Sequence, residues 1–274
     1  MGMKWWVVAL VGWLGSLVAC AAPVCPDPVR IGYLNVHAPP MLLGQGQEFT
    51  DPPGWQVLAM REAARKLGCR VRETRLPGLR LDAMLNQGDV DFSLFFGVTE
   101  ERLQWLRFPL DAAGQPDRAW APLMGSLVLY APAGSPQAQP GVAWDGHRLA
   151  PGVRVGVVSR TVQEKWARQH SWPLERTLTI DNAMQMLRAQ RFDLLLTTRE
   201  TMRPEWVQGG ALLVELSPAV DHLPFFVVAS RRMWEQDAAF TQAFWQEACR
   251  AVRQLAPDAR PAECGVRVGP AVKH

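Results

Sequence analysis

Apolar and polar positions along this chain change period repeatedly, and each change marks an element. Residues 29–34 (VRIGYL) read as a first strand. Residues 55–67 carry Val57, Met60, Ala64 and Leu67 at helical spacing, and Gly68 ends that helix. Residues 70–75 read as a second strand, Pro77-Gly78 turns, and residues 80–87 form a helix with Leu81, Met84 and Leu85 on one face. Residues 90–96 are a nearly continuous apolar run, the mark of a strand buried on both faces. Strand and helix alternate, which predicts a mostly parallel sheet with helices on both faces.

The alternation breaks and then resumes. Residues 111–121 are a turn-rich insert, 126–131 (SLVLYA) are apolar, and 132–152 are loose. Residues 153–158 (VRVGVV) read as a buried strand, and Thr161 with Glu164 forms a capping box that opens a helix. Residues 177–180 (TLTI) read as a short strand. Asp181 then caps a helix holding Ala183, Met186 and Leu187. Strands follow at 192–196 and 211–216, residues 225–229 run back, and 238–255 form an amphipathic helix with Phe240, Phe244, Ala248, Val252 and Leu255 on one stripe.

Within this pattern one stretch echoes another. Met84-Leu85 and Asp91 align with Met186-Leu187 and Asp193: helix, short turn, strand, with an Asp inside the strand opening. The echo suggests two lobes on a similar plan. Residues 26–126 and 227–274 form the first and 127–226 the second, linked by strands near Leu127 and Val227. The predicted class is α/β, two lobes with a cleft that closes by hinge motion.

The first 22 residues stand apart. Lys4 precedes WWVVALVGWLGSLVACAA, an apolar segment ending in small residues, which reads as a secretory signal. Two processing routes fit. Ala19-Cys20-Ala21 has the form of an ordinary cleavage site, and Leu17-Val18-Ala19-Cys20 resembles the bacterial lipobox that lipidates Cys20. Both predict a periplasmic location, and no second segment is long enough to span a bilayer. Export implies an oxidising compartment. The predicted pairs are Cys25–Cys69, which neighbouring strands bring together, and Cys249–Cys264, on the last helix and the tail after it; buried free thiols are the alternative.

Composition narrows the chemistry. Net charge is +3, and the Lys and Arg residues are scattered, so nucleic acid is not an expected partner. No HExxH or CxxC occurs and the five His residues lie far apart, so no metal site is predicted. There is no GxSxG elbow and no P-loop, and Gly44-Gln45-Gly46 lacks the third glycine of a dinucleotide fingerprint. No cofactor is predicted.

What remains is ligand binding at strand ends. Arg102 lies in the first turn of a helix capped by Thr99, just past the buried strand and the Gly97 turn. Ligands bind at such places in open α/β sheets, and a guanidinium there can grip a carboxylate with two parallel bonds. A surface pair with Glu101 or another acid is the alternative. Thr161 is the counterpart in the second lobe, where a helix start offers free N–H groups to an anion; plain N-capping is the alternative, and Ser159 and Arg160 share its turn. Tyr33, His37 and Met41 lie in or after the first strand, and Thr197 and Thr198 end the echoed one. Trp55 reads as core.

Four stretches, GWQVLAMREAARKLG, LNQGDVDFSLFFGVTEERLQWLRFPL, VRVGVVSRTVQEKW and DNAMQMLRAQRFDLLL, carry a resemblance over most of residues 28–255. In order, they are similar to the type II periplasmic solute-binding proteins, in particular the family serving polar amino acid uptake by ABC transporters. The resemblance implies a Venus flytrap fold and a small-molecule ligand. By the same resemblance, Arg102 matches the arginine that holds a ligand α-carboxylate, and Thr161 with Val162 matches the helix start that assists it. Where small and hydroxyl residues are expected before the T-x-x-R motif stand Leu94, Phe95 and Gly97. Where an acid is expected to hold the α-ammonium stands Thr198. A carboxylate with a more apolar body therefore fits better than an ordinary α-amino acid.

Three functions follow. A monomer that presents a small carboxylate-bearing solute to a membrane permease leads. A sensory or interaction protein with a degraded pocket, feeding a sensor kinase, is second. A dehydratase on this scaffold is last, because no catalytic acid or base stands out.

Overall fold

The computed structural model describes residues 25–208, 212–256 and 264. The segment expected to be a secretory signal, with Cys20, lies outside the described residues, as does residue 211 at the start of one expected strand.

The first lobe contains β1 (Val29–Leu34), α1 (Trp55–Lys66), β2 (Val71–Leu76), α2 (Gly78–Gln87), β3 (Phe92–Gly97), α3 (Glu100–Trp105) and the short β4 (Leu106–Arg107). Strand β5 (Leu123–Pro132) crosses into the second lobe, built from β6 (Val155–Val158), α4 (Val162–Gln169), β7 (Leu174–Thr177), α5 (Ile180–Arg188), β8 (Leu194–Thr198), α6 (Pro204–Val207) and β9 (Leu213–Glu215). Strand β10 (Asp221–Ser230) returns, and α7 (Arg231–Gln236) and α8 (Ala238–Leu255) finish the first lobe.

The strand order is β2-β1-β3-β10-β5-β8-β6-β7. β1 is parallel to β2 and β3, and β6 is parallel to β7 and β8. β10 closes the first group antiparallel to β3, and β5 closes the second antiparallel to β8. The two groups are mirror lists of the same plan, joined where β5 and β10 pair with each other from Leu123↔Phe225 to Leu127↔Asp221. That doubled ribbon is the crossing between lobes.

The echoed aspartates do the same work twice. Asp91 accepts the Arg30 backbone N–H at 2.7 Å and grips its guanidinium at 2.5 and 3.0 Å. Asp193 accepts the Arg154 N–H at 2.8 Å and lies against that guanidinium at 3.4 Å. Each carboxylate locks the opening of the third strand of its lobe to the first. In the first lobe α8 lies along α1, and Phe244 of its apolar stripe stacks on Phe92 of β3 at 4.0 Å.

Three assignments change. The strand expected at 177–180 ends at Thr177, because its partner β6 ends at Val158; Leu178 is left 73% exposed. The helix after it is capped by the Thr179 hydroxyl, which accepts the Asn182 N–H at 3.1 Å, so Asp181 sits in the first turn rather than at the cap. The run expected at 225–229 is ten residues long, because its first half pairs with β5 and its second half with β3. Both disulfides form as paired above, Cys25–Cys69 and Cys249–Cys264. Among the described residues no helix is long and apolar enough to cross a membrane.

Candidate functional site

The cleft runs between the carboxyl ends of β3 and β6, where the starts of α3 and α4 face each other. Thr99 accepts the Arg102 N–H at 3.2 Å, and Thr161 accepts the Glu164 N–H at 3.2 Å. Glu164 returns the favour one residue further out than a standard capping box, accepting the Arg160 N–H at 2.7 Å. Arg160 needs that hold: its φ of +61° is left-handed, a conformation that residues other than glycine rarely adopt.

Arg102 lies behind the first of these helix starts. One guanidinium nitrogen donates to Gly97 O at 3.1 Å, the fork lies over the Phe96 ring with Cζ 4.8 Å from its centre, and Nε is buried without a partner. Its nearest carboxylate belongs to its own lobe: Asp82 of α2, at 3.7 Å. Burial pulls the Arg102 pKa down, opposed by Asp82. Burial raises the Asp82 pKa, opposed by Arg102 and then by Arg160 from the other lobe. Arg102 is thus a desolvated cation with an unspent donor; of the alternative ion pairs, the one with Glu101 does not form because Glu101 turns outward to Arg160, and the acid that does approach is the buried Asp82.

The floor is aromatic. β10 opposes Phe96 with Phe226 and Leu94 with Val227, so Phe95 is the extra residue of a β-bulge, with φ +74°. A bulge re-aims a side chain. Here the extra residue leaves Phe95 in the same apolar cluster as its neighbour Leu94, with Phe96 in the other, and Phe95 stacks on Phe225 with ring centres 4.0 Å apart and planes 1° apart.

The second wall is α4 and its flanks. Gln163 donates to Thr198 at 3.4 Å, as Gln56 at the same position of α1 donates to Leu94 O at 2.9 Å. Trp166 ties α4 to the start of β10 through Asp221 at 2.7 Å. A groove of about 470 Å³ opens at the lip, where Thr99, Glu100 and Glu101 face α4.

The structure brings Phe95, Gly97 and Thr161 to the interlobe surface, with Arg102 just behind. It places three other candidates elsewhere. Tyr33 is fully buried, its hydroxyl donating to Glu73 at 2.9 Å and its ring packed edge-on against Phe49, so it cannot stack on a ligand. Tyr130, the chain's other tyrosine, spends its hydroxyl on Glu215 in the same way. His37 accepts the Gly44 N–H at 3.1 Å and closes its own loop. Thr198 is fully buried, its hydroxyl within 3.1 Å of Thr201.

Sequence reasoning missed several residues. Arg75 is 1% exposed and donates to the carbonyls of Leu34, Val36, Leu43, Gly44 and Glu48 at 2.8–3.4 Å, so one guanidinium shapes the loop after β1. The signal was a lone Arg in a strand, indistinguishable from a solvated one. Asp82 read as the polar face of a helix. Glu200 stands two residues beyond the position where an acid was sought. Its carboxylate accepts the Ser126 N–H at 3.1 Å on the crossing strand, and burial raises its pKa. Among the described residues no cluster of His, Cys, Asp and Glu could hold a metal ion.

No protein-family model matches the sequence, and no curated protein does. Solved structures do match. The periplasmic VFT2 domain of Bordetella pertussis BvgS aligns with TM-score 0.62 at 14% identity, over 85% of this chain and 93% of that one. The ligand-binding core of GluR0 in complex with L-glutamate aligns with TM-score 0.61 at 15% identity, over 85% and 96%. The amino acid ABC transporter substrate-binding protein AbpA from Streptococcus pneumoniae, bound to L-arginine, aligns with TM-score 0.60 at 14% identity, over 85% and 94%. At these identities the likeness is one of fold: the chain has the two-lobed Venus flytrap architecture of these neighbours.

Proposed function

We propose that this protein binds a small, carboxylate-bearing solute between its lobes and presents it to an ABC-type permease. The observation that carries the reading is Arg102: a desolvated guanidinium at the end of a buried strand, with an unpartnered Nε and only a distant carboxylate. A buried cation so poorly paired is costly unless an anion completes it. The second lobe supplies cationic side chains around the nearby groove, Arg160 before α4, Lys165 and Arg168 on it and Arg176 on β7, against the carboxylates Glu100, Glu101 and Glu164. The Phe95–Phe225 stack suits an apolar ligand body. The two disulfides suit an oxidising, extracytoplasmic setting. The protein acts by binding, as a monomer and without a cofactor. The neighbours include a transporter's binding protein, which supports the delivery role.

Thermal shift against a panel of carboxylates and amino acids tests this. At a ligand concentration roughly a hundred times Kd, a binder gains about 2.7 kcal/mol. Arg102→Ala should abolish the gain, and unchanged affinity in that variant removes Arg102 from the site. A second reading, a module feeding a membrane sensor, is favoured by Asp82, which already stands where a ligand carboxylate would pair with Arg102. A silent panel together with co-purification of a sensor kinase would select it. Product formation from any bound compound would overturn both.

A further inference from the structure

The two lobes touch through their most constrained residues. A Cβ built on Gly97 of the first lobe would lie 2.5 Å from Cγ1 and 2.7 Å from Cβ of Val162 in the second. No real Cβ tolerates either distance, so Val162 sits directly on bare backbone. Gly97 is not in the left-handed region, so its backbone would accept alanine. What requires glycine there is the approach of the other lobe. Val162 is 9% exposed and belongs to one apolar cluster that runs through both lobes, including Phe95, Leu127 and Phe225 at the crossing. Beside this contact Arg160 reaches across to Glu101, with Asp82 and Arg102 within electrostatic range behind it. Arg160 is held in its left-handed conformation by Glu164, which itself binds Arg168 and Arg176.

We propose that Val162 seated on Gly97 is a closing latch, with Arg160–Glu101 as its rim, so that the chain's own residues hold the lobes together independently of what the cleft binds. Both rim side chains are about half exposed, and exposed ion pairs contribute little in water, so the weight falls on the Val162 seat.

The test is small-angle scattering on protein refolded from denaturant to strip any bound solute. Gly97→Ala inserts a wedge and should raise the radius of gyration above wild type. Val162→Gly in the otherwise native chain empties the seat and should raise the radius as well. Equal radii for wild type and Gly97→Ala would overturn the latch, and so would a folded Val162→Gly variant with the wild-type radius. Should circular dichroism show that Gly97→Ala fails to fold, Val162→Gly alone decides: an expanded protein supports the latch, and an unchanged radius overturns it. None of these outcomes depends on Arg102 or on any ligand, so failure here leaves the binding reading standing, and failure of the panel leaves the latch standing.

Discussion

Arg75 and Arg102 are both desolvated guanidiniums, and they differ in how they are satisfied. Arg75 spends its donors on five carbonyls and needs no carboxylate. Arg75→Ala should cost about 3–5 kcal/mol in urea unfolding, because the carbonyls left behind are unpaired and buried; Arg75→Lys, with a point charge instead of a fork, should recover little. Arg102 keeps an unspent Nε beside a carboxylate that burial holds partly against ionisation. The sign for Asp82 follows from its raised pKa. Between the unfolded value and the raised one, the folded state carries more protons, so this group's contribution to stability grows as pH falls through that window. Melting temperatures of wild type and Asp82→Asn against pH should therefore converge toward acid, and parallel curves would refute the assignment. At this scale sequence was a poor guide. Arg102 and Asp82 lie 20 positions apart, and nothing local says that α2 and α3 will bring them together.

At the scale of elements, the bulge in β3 decides most. It puts Phe95 in a left-handed conformation that costs of order 1 kcal/mol, and gains the Phe225 stack in return. Phe95→Ala loses the ring and keeps the strain, so it should destabilise by roughly 3 kcal/mol. Phe95→Gly loses the ring but relieves the strain. The glycine variant should thus be the more stable of the two, the reverse of the usual order in a strand; denaturant melts showing alanine ahead would mean that the bulge is unstrained. The apolar run was legible as a strand, but a bulge is not. It depends on where β10 pairs, and β10 lies about 130 positions away. The strand assigned to 177–180 failed for the same reason, since β6 and not local propensity sets where β7 stops.

For the whole molecule, the disulfides and the crossing ribbon set what moves against what. Cys25–Cys69 closes a separation of 44 residues and Cys249–Cys264 one of 15. In the chain-entropy picture, opening the first should cost about 4 kcal/mol and the second about 3 kcal/mol. Paired Cys→Ser variants in guanidinium melts check the order. The Cys25–Cys69 bond fastens the start of β1 beside β2 within one lobe, so its loss should leave the second lobe untouched, as hydrogen exchange would show.

The sequence by itself determined the element order and the two-lobed plan, because these follow from short-range periodicity and turn residues; it offered Cys25–Cys69 and Cys249–Cys264 beside free thiols, and the structure selected the pairs. The repeated aspartate is the clearest case: Asp91 and Asp193 are written at matching offsets, and both clamp an arginine at a strand opening. Only the tertiary structure decided that Tyr33 faces Glu73 instead of the cleft, that Arg102 leans on Asp82, and that Gly97 is small because Val162 arrives from the other lobe. Each of those is a contact between residues far apart in the chain, fixed by how strands register and lobes meet, and no local pattern encodes such a meeting.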